Sequence, residues 1–190
     1  MTEFCKLSIP EVILVTPVRH ADSRGFFSET WHAQNWQDNG IDGSFVQDNH
    51  SMSVPAFTVR ALHFQRPPFA QGKLVRVSRG KVIDVAVDIR TDSPTFGQHE
   101  AVELDASTGQ QLWVPPGFAH GFCTLEANTE VQYKVTAPYN QASEGGLRWN
   151  DPALGIDWKI PVGAMPTINE RDQNHPFLAE LPPLFQVQKS

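Results

Sequence analysis

The stretch VRALHFQRPPFAQGKLVRV, residues 59–77, holds two short runs of strand-forming residues separated by Pro67 and Pro68. The apolar and β-branched residues of VRALHFQ and KLVRV favour a pleated chain, and the paired prolines forbid a helix across the join. Both runs also carry ionisable groups, namely Arg60, His63, Lys73 and Arg76. A strand that only fills a core has no use for them. A strand that lines a binding cavity does.

The same texture extends in both directions. EVILVTPV, GFFSETW, SFVQDNHSMS, KVIDVAVDIR, HEAVELD, QLWVPPG, HGFCTLE and EVQYKVTAPY are further strand candidates, and the 15 Pro and 13 Gly of the chain punctuate them. Many short strands without alternating helical segments predict an all-β sandwich or barrel. HAQNWQDNG (32–40) is the best helix candidate, and a short one. RGKV (79–82) reads as a tight hairpin, and Asn39-Gly40 and Gly145-Gly146 read as turns. The tail PFLAELPPLFQVQKS reads as an irregular arm. No repeat or low-complexity tract interrupts the chain, so one domain over residues 1–190 is expected.

Composition narrows the function. A net charge of −6 gives the whole molecule no attraction for nucleic acid or an anionic membrane, so an anionic ligand requires a local cluster of Arg and Lys. Cys5 and Cys123 form no disulfide framework and no metal spacing, and a reducing cytoplasm is the expected compartment. The first residues lack the pattern of a signal peptide, and no apolar run is long enough to span a bilayer.

Strand alternation sets Val59, Ala61, His63 and Gln65 on one face and Arg60, Leu62 and Phe64 on the other. His63 and Arg60 therefore share a cavity only if a bulge re-aims one of them. Lys73, Val75 and Val77 share a face, as do Val131, Tyr133 and Val135. Taken singly, these residues have ordinary explanations. His63 suits a hydrogen-bonded strand histidine, Tyr133 a packed aromatic, Lys73 a solvated strand start, and Arg24 a turn. By the same logic Asp172 suits an exposed loop, and His120 the start of a strand. No His-x-His pair, His-Glu-x-x-His helix, Cys pair, nucleophile elbow or phosphate-cradling glycine loop is present. What remains is acid–base chemistry without metal or cofactor.

Together, the stretches DSRGFFSET, FVQDNHSMS, VRALHFQ, AQGKLVRVSRGKVIDVAVDIR, SPTFG, QLWVPPGFAHGF, YKVTAPY, EGGLRWNDP and NERD follow one another in an order that resembles the dTDP-4-dehydrorhamnose 3,5-epimerase family. The resemblance covers roughly residues 8 to 176. It implies a cupin-like jelly-roll β-barrel with short peripheral helices, a metal-independent homodimer, and dTDP-4-dehydro-6-deoxyglucose as substrate. His63 resembles the family base, Asp172 the carboxylate that orients it, Tyr133 the acid on the opposite face, and Lys73 the cation beside the enolate oxygen. Arg24 and Arg60 resemble diphosphate ligands, and Phe27, Glu29 and Tyr139 the nucleobase site. Gln47, Asn49 and His120 complete the nucleotide and sugar contacts. The resemblance also implies that the segment from Arg24 to Glu29 reaches into a neighbouring subunit. Ala61 departs from the glycine common at this position, which is expected to narrow the sugar pocket. The surroundings of Asp172 in NERDQN also differ. A monoepimerase acting at C3 or C5 alone is the close alternative. A non-catalytic sugar-nucleotide-binding cupin and a metal-dependent cupin are more distant ones.

Overall fold

The structure, a computed structural model, describes residues 1–187. Its early strands are β1 (Glu3–Lys6), β2 (Ile13–Thr16), β3 (His20–Asp22) and β4 (Gly25–Phe27), followed by helix α1 (Ala33–Asp38). The central strands are β5 (Gln47–Ser53), β6 (Val59–Gln65), β7 (Lys73–Arg79), β8 (Lys81–Asp88) and β9 (His99–Asp105). Then come β10 (Gln111–Val114), β11 (Phe118–Thr124), β12 (Thr129–Val135), β13 (Glu144–Gly146) and a single-turn helix α2 (Glu170–Gln173). The expected helix at 32–40 is α1, held at its start by the His32 side chain accepting from the Asn35 amide.

Two antiparallel sheets face one another in a cupin-like jelly roll. One has the order β1-β2-β10-β7-β12-β5, the other β13-β6-β11-β8-β9. Between them lies an apolar core that includes Val75, Val77, Val82, Ala86, Leu112, Phe122 and Val131. A second cluster covers the outer face of the five-stranded sheet, where Val59, Leu62, Phe64 and Val85 pack against Leu147, Leu154, Trp158 and Phe185. A third sits outside the six-stranded sheet, where Trp36 and Ile41 cover Ile13, Leu74 and Trp113. Both sheets are therefore sandwiched, and strand β8 is almost wholly buried although it spans the middle of a sheet. Burial of this kind is worth about 1.5–3 kcal/mol for each large aliphatic or aromatic side chain.

Two turn expectations fail. Gly80 does not close a hairpin, because β7 pairs with β10 and β12 whereas β8 pairs with β9 and β11. Gly80, at φ +78°, instead turns the chain from one sheet to the other beside the side chain of Thr129. Gly145 and Gly146 are not a turn either. They belong to β13, paired with Phe64 and His63 of β6. A Cβ on Gly145 would lie 2.5 Å from the Phe64 ring, so close packing rather than chain reversal explains that glycine. The C-terminal arm is irregular as expected and anchors Phe185 beside Arg90, with residues 188–190 outside the described part.

Candidate active site

One end of the barrel interior is not filled by apolar side chains. It holds a cavity of about 430 Å³ whose lining includes Arg60, His63, Lys73, His120, Tyr133 and Asp172. Gln47, Asn49 and Tyr139 also line it. The alternation of β5 brings in the first two. Gln47, Asn49 and Ser51 turn inward while Asp48, His50 and Met52 are exposed, which inverts the usual apolar-in pattern and marks a wet cavity.

Strand β6 solves the problem of Arg60 and His63. His63 pairs with His120 and Arg60 with Phe122, so three steps along β6 match two along β11. The extra residue is a bulge at Ala61–Leu62, whose peptide bond is cis. It turns both Arg60 and His63 into the cavity and leaves Ala61 and Leu62 in the outer core. Ala61 therefore does not narrow the pocket. Its methyl packs toward Gly121, where a Cβ would come within 2.5 Å of it.

His63 Nε2 lies 2.8 Å from Asp172 Oδ1. Asp172 is not an exposed loop residue but has 0% exposure in α2, whose start is capped by Asn169 Oδ1 accepting from the Asp172 amide. Burial alone would raise its pKa. The imidazoles of His175 and His63, the charge of His63 and the Ala61 amide outweigh that and keep Asp172 ionised far below the usual carboxylate range. His63 is shifted down from the ordinary histidine value, chiefly by burial. Asp172 opposes that shift, and the charges of Lys73 and Arg171 add to it. A neutral imidazole aimed by a buried carboxylate results.

Lys73 is 8% exposed, and its Nζ donates to the His63 carbonyl at 3.2 Å. Burial lowers it to about 8 despite the charges of Asp84 and Glu144, so it is still largely an ammonium at pH 7. Burial raises Tyr133, partly offset by the Arg60 charge, so the phenol keeps its proton at neutral pH. His120 Nε2 meets Asp84 Oδ1 at 2.8 Å, forming a second buried His–carboxylate couple. Asp84 escaped the sequence reading, although an aspartate inside the apolar run KVIDVAV was the available signal. Arg171, Glu144 and Asn169 on the cavity wall were missed too. Arg171 Nη1 donates to Glu144 Oε2 at 2.9 Å, and Tyr139 Oη donates to the same oxygen at 3.1 Å.

Arg24, Phe27 and Glu29 do not reach this cavity. All three are exposed on or just after the β3–β4 hairpin, where Arg24 pairs with Asp22 at 2.6 Å. Phe27 and Glu29 flank a separate groove with Phe4 and Val18. Among the described residues, donor atoms of His63, Asp172 and His175 converge within 4.8 Å, while His120 belongs to the Asp84 couple instead.

The arrangement offers a poised base, a protonated phenol and a buried cation around one space, the set needed to move protons next to a carbonyl. Comparison with known proteins identifies the family. The family model described as dTDP-4-dehydrorhamnose 3,5-epimerase matches residues 6–180. A dTDP-4-dehydrorhamnose 3,5-epimerase of Sinorhizobium fredii is 51% identical over 186 residues, covering 98% of this chain and 94% of its own. The crystal structure of a Legionella pneumophila dTDP-6-deoxy-D-glucose-3,5-epimerase in complex with dTDP-4-keto-L-rhamnose superposes with a TM-score of 0.93 at 39% identity, covering all of both chains. A 3'-monoepimerase from Streptomyces bikiniensis, in complex with dTDP-quinovose, has a TM-score of 0.87 at 32% identity, covering 96% of this chain and 92% of its own. With a family model spanning nearly all of its length and a curated relative at half identity, the chain belongs to the dTDP-4-dehydrorhamnose 3,5-epimerase family.

Proposed function

We propose that this chain, as a single epimerase domain, inverts C3 and C5 of dTDP-4-dehydro-6-deoxyglucose through enolate intermediates to give dTDP-4-dehydro-L-rhamnose. One observation carries the assignment of roles. His63 stands on β6 of the five-stranded sheet, and Tyr133 on β12 of the six-stranded sheet, with the cavity between them. Epimerisation needs proton removal from one face of a carbon and return to the other, and base and acid on opposing walls meet that need.

The C4 ketone acidifies the neighbouring C–H bonds. His63 takes the proton, and Asp172 stabilises the imidazolium that forms. Negative charge moves to O4, where the Lys73 ammonium and the buried His120 stabilise it. Tyr133 gives its proton to the opposite face, and the nearby Arg60 charge favours the tyrosinate left behind. Water then takes the proton from His63 and reprotonates Tyr133, and the same sequence at the second carbon completes the double inversion. Arg60, Gln47, Asn49 and Tyr139 hold the thymidine diphosphate, with the Arg60 guanidinium matched to phosphate oxygens.

Arg24, Phe27 and Glu29 act in this reading from a second subunit. Their exposure on a hairpin outside their own cavity supports a homodimer in which each hairpin completes the other's nucleotide site. Among the described residues no helix is long and apolar enough to cross a membrane. The cytoplasm, where nucleotide sugars are made, is the proposed compartment.

The test is solvent exchange. The protein is incubated with dTDP-4-dehydro-6-deoxyglucose in heavy water, and deuterium at C3 and C5 is followed by NMR while a reductase traps the L-configured product. Label at both carbons is expected. Label at one carbon would make this chain a monoepimerase, and label at neither would remove the reading altogether.

A further inference from the structure

His175 has no place in the mechanism above. It does not line the cavity, and its Nε2 is buried without a hydrogen-bond partner. That nitrogen nevertheless lies 3.6 Å from Asp172 Oδ1, the oxygen that receives His63 at 2.8 Å. The two imidazoles meet edge to face, with centroids 5.8 Å apart and planes at 77°.

The surroundings are built to hold this ring. A Cβ on Gly146 would lie 2.5 Å from His175 Nε2 and 2.6 Å from both ring carbons beside it, so only glycine there admits the imidazole. The main chain on either side is tied to one residue. Arg148 Nε donates to the His175 carbonyl at 3.0 Å, and the Arg148 amide donates to the Pro176 carbonyl at 2.8 Å. A side chain placed so firmly beside a fully buried carboxylate, with its buried, unmatched Nε2 facing that carboxylate, has a role beyond filling space.

We propose that His175 is a positioning residue that shares the Asp172 carboxylate with His63, fixing Oδ1 toward the base and tempering its pull on the His63 proton. A carboxylate that belongs wholly to His63 stabilises the imidazolium more strongly. The base then fills with protons at a higher pH. Sharing Oδ1 with a second N–H keeps His63 neutral where turnover needs it. Other charges face the pair from every side. Arg171 Nε lies 3.6 Å from the same oxygen, the Lys73 ammonium acts from β7, and His120 with Asp84 lies across β11. Glu144 on β13 holds Arg171. None of these changes when His175 is replaced, so a shift in His63 reports His175 itself.

The inference rests on His63 acting as the base, and its test separates the two. His175→Phe keeps a ring in the niche and removes the N–H. His175→Gln restores an N–H donor without an imidazole. The His63 titration is followed by imidazole NMR in the free enzyme, which needs no turnover. The pH profile of kcat/KM is then measured with dTDP-4-dehydro-6-deoxyglucose. In the Phe variant the His63 midpoint is expected to move to higher pH, and kcat/KM on the acid limb to fall about three- to tenfold with the alkaline plateau less affected. The Gln variant should return both toward wild type. An unmoved His63 midpoint in the Phe variant, or a Gln variant displaced as far as Phe, would overturn the role. If the NMR midpoint moves but the profile does not follow it, His63 is not the base. The roles under the proposed function then fail, while the coupling through Asp172 stands.

Discussion

Replacing Lys73 with Met should stabilise the protein while disabling it. The lysine is buried against the barrel wall and held near pH 8 rather than 10.5. At about 1.4 kcal/mol per pH unit, that interval corresponds to roughly 3 kcal/mol of resistance to carrying the ammonium at pH 7. Losing the hydrogen bond from Nζ to the His63 carbonyl returns about 1 kcal/mol of that. The net expectation for Lys73→Met is a gain of about 2 kcal/mol, or roughly 4–8 °C in Tm for a chain of this length. The pH dependence gives the stricter check. Between pH 8 and 10.5 the unfolded lysine binds more protons than the folded one, so wild-type stability rises with pH across that window, and Lys73 contributes that slope. The advantage of the Met variant must therefore shrink as pH rises from 7 to 10. Tyr133, present in both proteins, cancels in the difference. Urea unfolding of both proteins at pH 7 and pH 10 measures this directly, while turnover is expected to fall about 10²–10³-fold. A Met variant less stable than wild type at pH 7, or an advantage that does not change with pH, would refute the view that burial penalises this charge.

His63→Ala should reduce C3 and C5 exchange by about 10³-fold or more while binding of dTDP, read by calorimetry, persists. Tyr133→Phe should slow product formation about 10²-fold by removing the acid used at both carbons; inversion that continues unimpaired at either carbon would contradict that role. Gly146→Ala should destabilise the fold by about 1–3 kcal/mol, because the added methyl meets the His175 ring at 2.5 Å; unchanged thermal unfolding would show the niche is looser than described. Because His63 is depressed, chiefly by burial, the acid limb of kcat/KM should have its midpoint below that of an ordinary histidine at ~6.5; a midpoint above that value would mean that Asp172 dominates over burial.

The β-rich texture of the chain was legible because strand alternation and Pro/Gly punctuation are local. The class of fold followed from them. Partners were less legible. Nothing in RGKV says whether the chain returns to its own sheet or crosses to the other, because that choice is made by what β10 and β11 supply later. Gly145 and Gly146 look like turn residues by composition, and only the rings of Phe64 and His175 explain them. Within the site, alternation placed Tyr133 and Lys73 with their apolar neighbours correctly but separated Arg60 from His63. A bulge has no signature in VRALHFQ, so the one step that brings them together was invisible. Asp172 in a polar stretch looked solvated because its burial comes from α2 docking on β6, a contact about a hundred residues away in sequence. Asp84 was the reverse case, a charge in an apolar run that invited the question of its partner.

If His63 and Tyr133 act as base and acid as proposed, their separation onto different sheets also governs what happens between one inversion and the next. The proton removed from one side of the sugar is not the proton returned to the other. Each inversion therefore leaves the enzyme with an imidazolium and a phenolate, the mirror of its starting condition, and it is then primed for the backward reaction. Restoring the forward form depends on water reaching the two walls independently. Such a catalyst would keep a memory of its last direction, erased only by the solvent. On these roles every hydrogen installed would come from the surrounding water and none from the substrate just deprotonated.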